Sequence, residues 1–221
     1  MAELEAPALL DQLTLVSSQS PDMTTIDIAT TDGDVLLVLG ETRLRVSSVI
    51  LSSASPVFKA MLGQNFLEGQ GERSSQSPKE VALLDDDADA MTRLCRLLHH
   101  QDSMPADPHH ALSLATIAEE LLNLMIVADK YCCTSSIRLA GRYMLFNSAS
   151  LPIYRTTMMR TNLRLIAAAY MPEDARHFAV FTRRMVMDTS NPYSLIADTA
   201  ELASLSSTLL CKFSFSQGRS K

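Results

Sequence analysis

Asp34–Leu62 reads DVLLVLGETRLRVSSVILSSASPVFKAML, and the spacing of its apolar residues changes along the stretch. Asp34 leads into Val35-Leu-Leu-Val-Leu39, a short apolar run without alternation, which suits a strand covered on both faces. Gly40-Glu41 is suited to a tight turn. From Thr42 to Val46 the pattern alternates, with Leu44 and Val46 on one side and Arg43 and Arg45 on the other. The two segments therefore predict a hairpin whose second strand has one exposed face. Ser47 or Ser48 can then cap a helix over Val49-Ile-Leu51. A second helix start follows at once. Ser55 is a good N-cap, and Pro56 a good first helical residue because its missing N–H is not needed there. Phe58, Met61 and Leu62 share one face of that helix.

Downstream, residues 67–79 form a polar loop rich in Gly and Ser. Val81-Ala-Leu-Leu84 predicts a third strand, closed by Asp85-Asp-Asp87, whose negative charge favours the start of a helix. In that helix Met91, Leu94, Cys95 and Leu98 fall on one face. His99 to His110, with Pro105 and Pro108, reads as a second loop. Ile117, Leu121, Leu124, Ala128 and Tyr131 form the clearest apolar stripe, and Ile137, Ala140 and Leu145 a shorter one. Past Asn147 the pattern stays helical. Leu163, Ile166, Ala167 and Tyr170 predict one buried face; Ala175, Phe178, Ala179, Thr182, Met185 and Val186 predict another. A last weak helix covers Ser194 to Leu205. Upstream, residues 1–25 read as a partly disordered lead-in, with Leu9, Leu10, Leu13 and Val16 able to line a short helix. The tail 211–221 reads as disordered.

Composition narrows the function. Hydrophobic residues make up 47% of 221, enough for a substantial core. The 19 Lys and Arg against 25 Asp and Glu give a net charge of -6, which offers no general basic face for nucleic acid. Arg155, Arg160, Arg164, Arg176, Arg183 and Arg184 make a local exception, read most simply as a solvated helix face. The twelve Met are read first as core. Cys95, Cys132, Cys133 and Cys211 show no CxxC spacing and are expected to be reduced thiols. The first residues lack a basic or Arg-rich targeting pattern, and no apolar run is long enough to span a bilayer. A soluble protein of the cytoplasm or nucleus is the expectation.

The order of elements and several phrases resemble the BTB/POZ family. Asp34-Val-Leu-Leu-Val-Leu-Gly40 is similar to the family's first core strand with its leading Asp. Val49 to Leu62 is similar to its helical pair, in which a Leu, a Ser and a Phe recur. Phe66-Leu-Glu68, Val81-Ala-Leu-Leu-Asp-Asp-Asp87 and Ala128-Asp-Lys-Tyr131 match the phrases that follow. The resemblance implies an α+β domain over 26–146, a small mixed sheet packed with a cluster of helices. An all-α extension follows over 147–210, similar to the helical tail of many fungal BTB proteins. It also implies a non-enzymatic adaptor or scaffold that binds proteins, forming a homodimer or recruiting a cullin-type ubiquitin ligase. Asp34 and Ser48 mark the dimer pocket, Ile117 and Glu119 fit an apolar-x-acid element of cullin binders, and Leu9, Leu13 and Met104 are further interface candidates. The family often places His and then Lys or Arg where this chain has Ser47-Ser48. Asp34 thus lacks the usual basic partner and is expected either to face solvent or to meet another group such as Arg45. Ile117-Ala-Glu119 also suits ordinary helix surface. The alternative reading is a transcription or chromatin regulator whose Arg-bearing extension contacts nucleic acid.

Chemistry finds little purchase in the sequence. Gly69-Gln-Gly71 is followed by no phosphate-binding Lys. Asp85, Asp87 and Asp89 are spaced like calcium ligands, but Ala90 and Arg96 stand where such a loop needs Gly and Glu. His99-His100 and His109-His110 with Cys95 lack a tetrahedral ligand spacing. No nucleophile elbow is present. No catalytic residue, metal, cofactor or small-molecule substrate is expected.

Overall fold

The computed structural model describes residues 24–66, 70–101, 113–151 and 158–188. Leu9, Leu13 and Met104, the helix expected over 194–205 and the tail lie outside them. The elements run β1 (Thr24–Asp27), β2 (Val35–Leu39), β3 (Thr42–Val46), α1 (Ser48–Ala54), α2 (Pro56–Met61), β4 (Lys79–Ala82), α3 (Ala88–Leu98), α4 (Leu114–Lys130), α5 (Arg138–Ser150), α6 (Met158–Tyr170) and α7 (Ala175–Asp188).

The four strands make a mixed sheet of order β1-β3-β2-β4. The expected hairpin forms, with Leu37 opposite Leu44, and its turn sets Gly40 at φ +58°, a backbone that glycine enters without Cβ strain. β1 and β4 join the sheet in parallel to β3 and β2. One face carries Val35, Leu37, Leu44, Val46 and Val81, all buried. On the other face Leu36 and Val38 are only half-buried, so β2 is not covered equally on both sides as its unbroken apolar run suggests. Over that face Arg43 of β3 reaches across β2 to Glu80 of β4 at 3.1 Å, and the aliphatic stem of such an arginine can shield apolar neighbours. β4 lies two residues earlier than expected, and Thr24 and Thr25, within the stretch read as lead-in, are strand.

The helices close the inner face. Phe58 of α2, Met91 and Leu94 of α3, and Leu121 and Leu124 of α4 are fully buried in one core with its residues. α4 is the shared wall of the molecule: it packs on α3 and α5 and along much of α6. Gly141 lets α5 come close, because a Cβ there would run into the Met125 methyl. α6 buries Leu163, Leu165, Ile166 and Ala167 through Ala169, whereas Tyr170 sits at its rim. Among the described side chains of α7, His177, Phe181 and Met185 are buried, while Ala175 and Ala179 are exposed. The helix is therefore turned relative to the expected face, because the Asp174–His177 contact described below fixes its first turn.

Candidate interaction surface

The start of α1 is built from three elements. Ser47 is the N-cap by backbone position, yet its side chain makes no capping bond. Asp34, just before β2, takes that role: Oδ1 accepts the Ser48 N–H at 2.7 Å and Oδ2 accepts the Ser48 hydroxyl at 2.6 Å. Asp34 is thus neither left to solvent nor met by Arg45. The hydroxyl that stands in place of the family's basic side chain satisfies it. A carboxylate at a helix N-terminus also interacts favourably with the helix dipole. Arg45 is spent elsewhere, on the Gly33 and Ser75 carbonyls and, at 3.8 Å, on Asp27.

From the far end of α3, His99 completes the arrangement. Its Nε2 accepts the Ser47 N–H at 3.0 Å, and Nδ1 lies 2.7 Å from the Cys95 carbonyl. Nε2 must be unprotonated to accept, so Nδ1 carries the proton and the ring is neutral. Burial lowers the pKa of His99 and outweighs the Cys95 carbonyl bond, which favours the charged form. The first histidine of the pair is a structural acceptor. On this fixed base Val49 points outward at 75% exposure.

The phrase Ala128-Asp-Lys-Tyr131 closes the other side of the domain. The Tyr131 ring stacks on Phe58 with centroids 4.2 Å apart and planes 8° from parallel. Its hydroxyl and the Lys130 ammonium each reach a different oxygen of Asp86, both at 2.7 Å, and the Asp86 side chain is only 4% exposed. Burial, and then the Asp86 carboxylate, push the Tyr131 phenol up, so it stays a donor. Ser55 accepts the Phe58 N–H at 3.0 Å and donates to the Tyr131 carbonyl at 2.5 Å, tying α2 to the end of α4. Asp86 was not singled out in the sequence; only its place within an acidic triplet marked it. Asp87 caps α3 through the Ala90 N–H at 2.7 Å, as the helix-capping reading of that triplet expects.

Ile117 is half-buried on α4, and the exposed Glu119 carboxylate pairs with Arg164 of α6 at 3.0 Å. Asp34 and Ser48 therefore meet, whereas Ile117 and Glu119 lie on a different flank, partly occupied by the extension. Arg184 reaches the Ala149 carbonyl of α5. Asp174, buried between α6 and α7, accepts from His177 through its N–H at 3.2 Å and Nδ1 at 2.8 Å, and pairs with Arg142 of α5 at 3.3 Å. Burial would raise the pKa of Asp174, but the His177 bonds and the Arg142 charge together hold it below the usual carboxylate value. Two arginines of the region, Arg164 and Arg184, thus serve internal contacts rather than a solvated face. Cys95 and Cys133 are buried, and burial pushes the Cys133 thiol up to about 12; Cys132 is exposed, and all three are free thiols. Among the described residues no cluster of three or more His, Cys, Asp or Glu could hold a metal, and no helix is long and apolar enough to cross a membrane.

The family model for the BTB/POZ domain matches residues 30–148, more than half of the chain. The chain belongs to the BTB/POZ family. No curated protein matches it beyond that. The BTB match begins just before Asp34 and ends within α5, so α6 and α7 lie outside it as a helical addition. BTB domains are in general protein-interaction modules, and the interaction role follows for this chain at that level. The Asp34–Ser48 cap and the Asp86–Lys130–Tyr131 group both lie inside the matched span.

Proposed function

We propose that this BTB protein is a non-enzymatic adaptor that bridges proteins through the exterior of its BTB domain, with a second copy of itself as the first partner. The observation that supports this most is the start of α1. Asp34 and His99 hold the helix end in place, and Val49 stands exposed upon it. A rigid apolar side chain on a fixed helix loses little entropy when a partner covers it. With Ser48 satisfying Asp34, the α1 face carries no unpaired buried charge to be matched across an interface.

A cullin-type ubiquitin ligase is a further candidate partner of the adaptor. It draws less support, since Glu119 is engaged by Arg164. Nucleic-acid binding by the extension draws less again, because Arg164 and Arg184 are committed to internal bonds. The test is intact-mass measurement of the purified full chain across micromolar concentrations, alone and with a purified cullin amino-terminal region. A dimer that Val49→Asp shifts to monomer is the expected result. A monomer throughout, with and without the cullin, removes the proposal.

A further inference from the structure

α5 and α7 together present a second surface, separate from the α1 face. On α5, Leu139, Tyr143 and Phe146 are 83%, 55% and 53% exposed. At about 100° per residue they share the outward side of the helix, opposite the buried Gly141, Met144, Leu145 and Ser148. α7 runs beside α5 in the same direction, since Asp174 pairs with Arg142 in the first half of α5 and Arg184 reaches Ala149 near its end. Leu139 and Phe146 stand one turn to either side of Arg142, at that seam. On α7, Arg176, Val180, Arg183 and Met187 recur at helical spacing and form one stripe, opposite the buried His177, Phe181 and Met185. Val180 stands one turn from Arg184, so the stripe borders the same seam. Large apolar side chains that adjoin in this way mark an interaction patch, whereas scattered ones do not.

Charge selects the occupant. Arg138, Arg176 and Arg183 are exposed, and no acid among the described residues pairs with them. Arg142 is spent on Asp174 and adds nothing to this edge. The sequence of α5 holds no acid, and that of α7 holds only Asp188, its last residue. The seam is therefore positive in a chain whose net charge is -6, and it calls for a negative partner. Three free arginines fall short of the roughly 4–8 basic residues that mark an anionic membrane surface. A nucleic-acid backbone would meet the arginines but leave Leu139 and Phe146 uncovered. Two helices side by side form a groove instead, ~10 Å long between Leu139 and Phe146 and ~16 Å between Arg176 and Met187. An amphipathic helix of about two to three turns fits that length, with its apolar residues down and its charges at the rim.

We propose that the α5–α7 seam binds an acidic amphipathic helix of a partner protein, with apolar residues on Leu139, Tyr143 and Phe146 and carboxylates beside Arg138, Arg176 and Arg183. The site is independent of self-association through α1, so Val49→Asp leaves it intact. Selection of a displayed library of helix-forming peptides on the immobilised full chain tests it. The library fixes apolar residues at i, i+4 and i+7 and randomises charge elsewhere. Peptides rich in Asp and Glu are expected to be enriched at least about tenfold over basic ones. Arg176→Glu with Arg183→Glu should reverse that preference toward Lys-bearing peptides. Leu139→Ser with Phe146→Ser should abolish binding of both kinds. The substituted side chains are exposed, and an unchanged thermal midpoint is the folding control. No enrichment by wild type, enrichment indifferent to the apolar changes, or a charge preference that does not reverse would overturn the proposal. So would a dimer lost on the α5 changes but kept in Val49→Asp, since a second copy would then be the occupant. Sedimentation of wild type with phosphatidylserine vesicles through the same residues would overturn it in favour of a membrane.

Discussion

At Ser48 two donors, a backbone N–H and a hydroxyl, converge on the two oxygens of Asp34. Hydrogen bonds to a charged group contribute more than neutral ones, and the hydroxyl is nearly buried. Ser48→Ala is expected to cost about 1–2 kcal/mol. Asp34→Ala leaves both donors without their acceptor and should cost more, about 2–3 kcal/mol. Ser47→Ala, whose side chain makes no capping bond, should cost under about 1 kcal/mol. Urea midpoints at constant slope give the ranking, and equal losses at Ser47 and Ser48 would refute the cap. His99 adds a pH dependence. Its folded-state pKa lies below the unfolded value of about 6.5, so the unfolded chain binds the extra proton first. The stability it contributes is full above about pH 6.5 and is lost as pH falls through the folded value. The denaturation midpoint of wild type should therefore drop more than that of His99→Gln between about pH 7.5 and about pH 5.5, whereas parallel profiles would exclude the neutral acceptor.

Three helices end with a non-glycine residue in the left-handed region: His100 at φ 56° after α3, Cys132 at φ 52° after α4 and Glu173 at φ 57° after α6. Each is followed by a backbone bond that closes the helix end, such as Cys133 N–H to the Ala128 carbonyl at 2.8 Å. The left-handed conformation costs an L-residue about 1–2 kcal/mol, and glycine returns about 0.5–1 kcal/mol of that through its freer unfolded state. Cys132→Gly and Glu173→Gly should each stabilise by roughly 0.5 kcal/mol, and thermal midpoints that fall instead would refute the balance. These ends also show where the sequence stops being legible. The hairpin, the Ser55 and Asp87 caps and the faces of α3 and α4 follow from local period and capping chemistry, so they can be read directly. β1 cannot, because Thr24–Asp27 carries one apolar residue and becomes a strand by pairing with β3. The face of α7 was misjudged because Asp174 and His177, polar letters in the sequence, are buried together there. The partner of Asp34 was missed because a serine reads as the loss of a charge, whereas its hydroxyl and N–H act as a pair.

Across the whole molecule, α4 decides whether the BTB domain and the α6–α7 extension behave as one body. α4 packs on both α3 and α6, and arginine contacts join the two parts at Glu119, Asp174 and Ala149. The Arg164–Glu119 pair, with its exposed carboxylate, contributes little by itself, so the coupling rests chiefly on burial of Leu165, Ile166 and Phe181. Phe181→Ala removes a fully buried ring and should cost about 3–4 kcal/mol. If the parts fold cooperatively, that loss must reach residues far from α7. Cys95 on α3 reports it, being fully buried and protonated at neutral pH because burial raises its pKa. Its labelling by a thiol reagent therefore requires opening of the BTB core, while the exposed Cys132 labels in the native state and serves as reference. In a denaturant series, Cys95 labelling identified by peptide mass and the loss of helical circular dichroism should share one midpoint in wild type. Both should move down together in Phe181→Ala. A Cys95 midpoint left in place while part of the helical signal is lost early would mean that the extension unfolds alone, and that α4 carries no coupling between them.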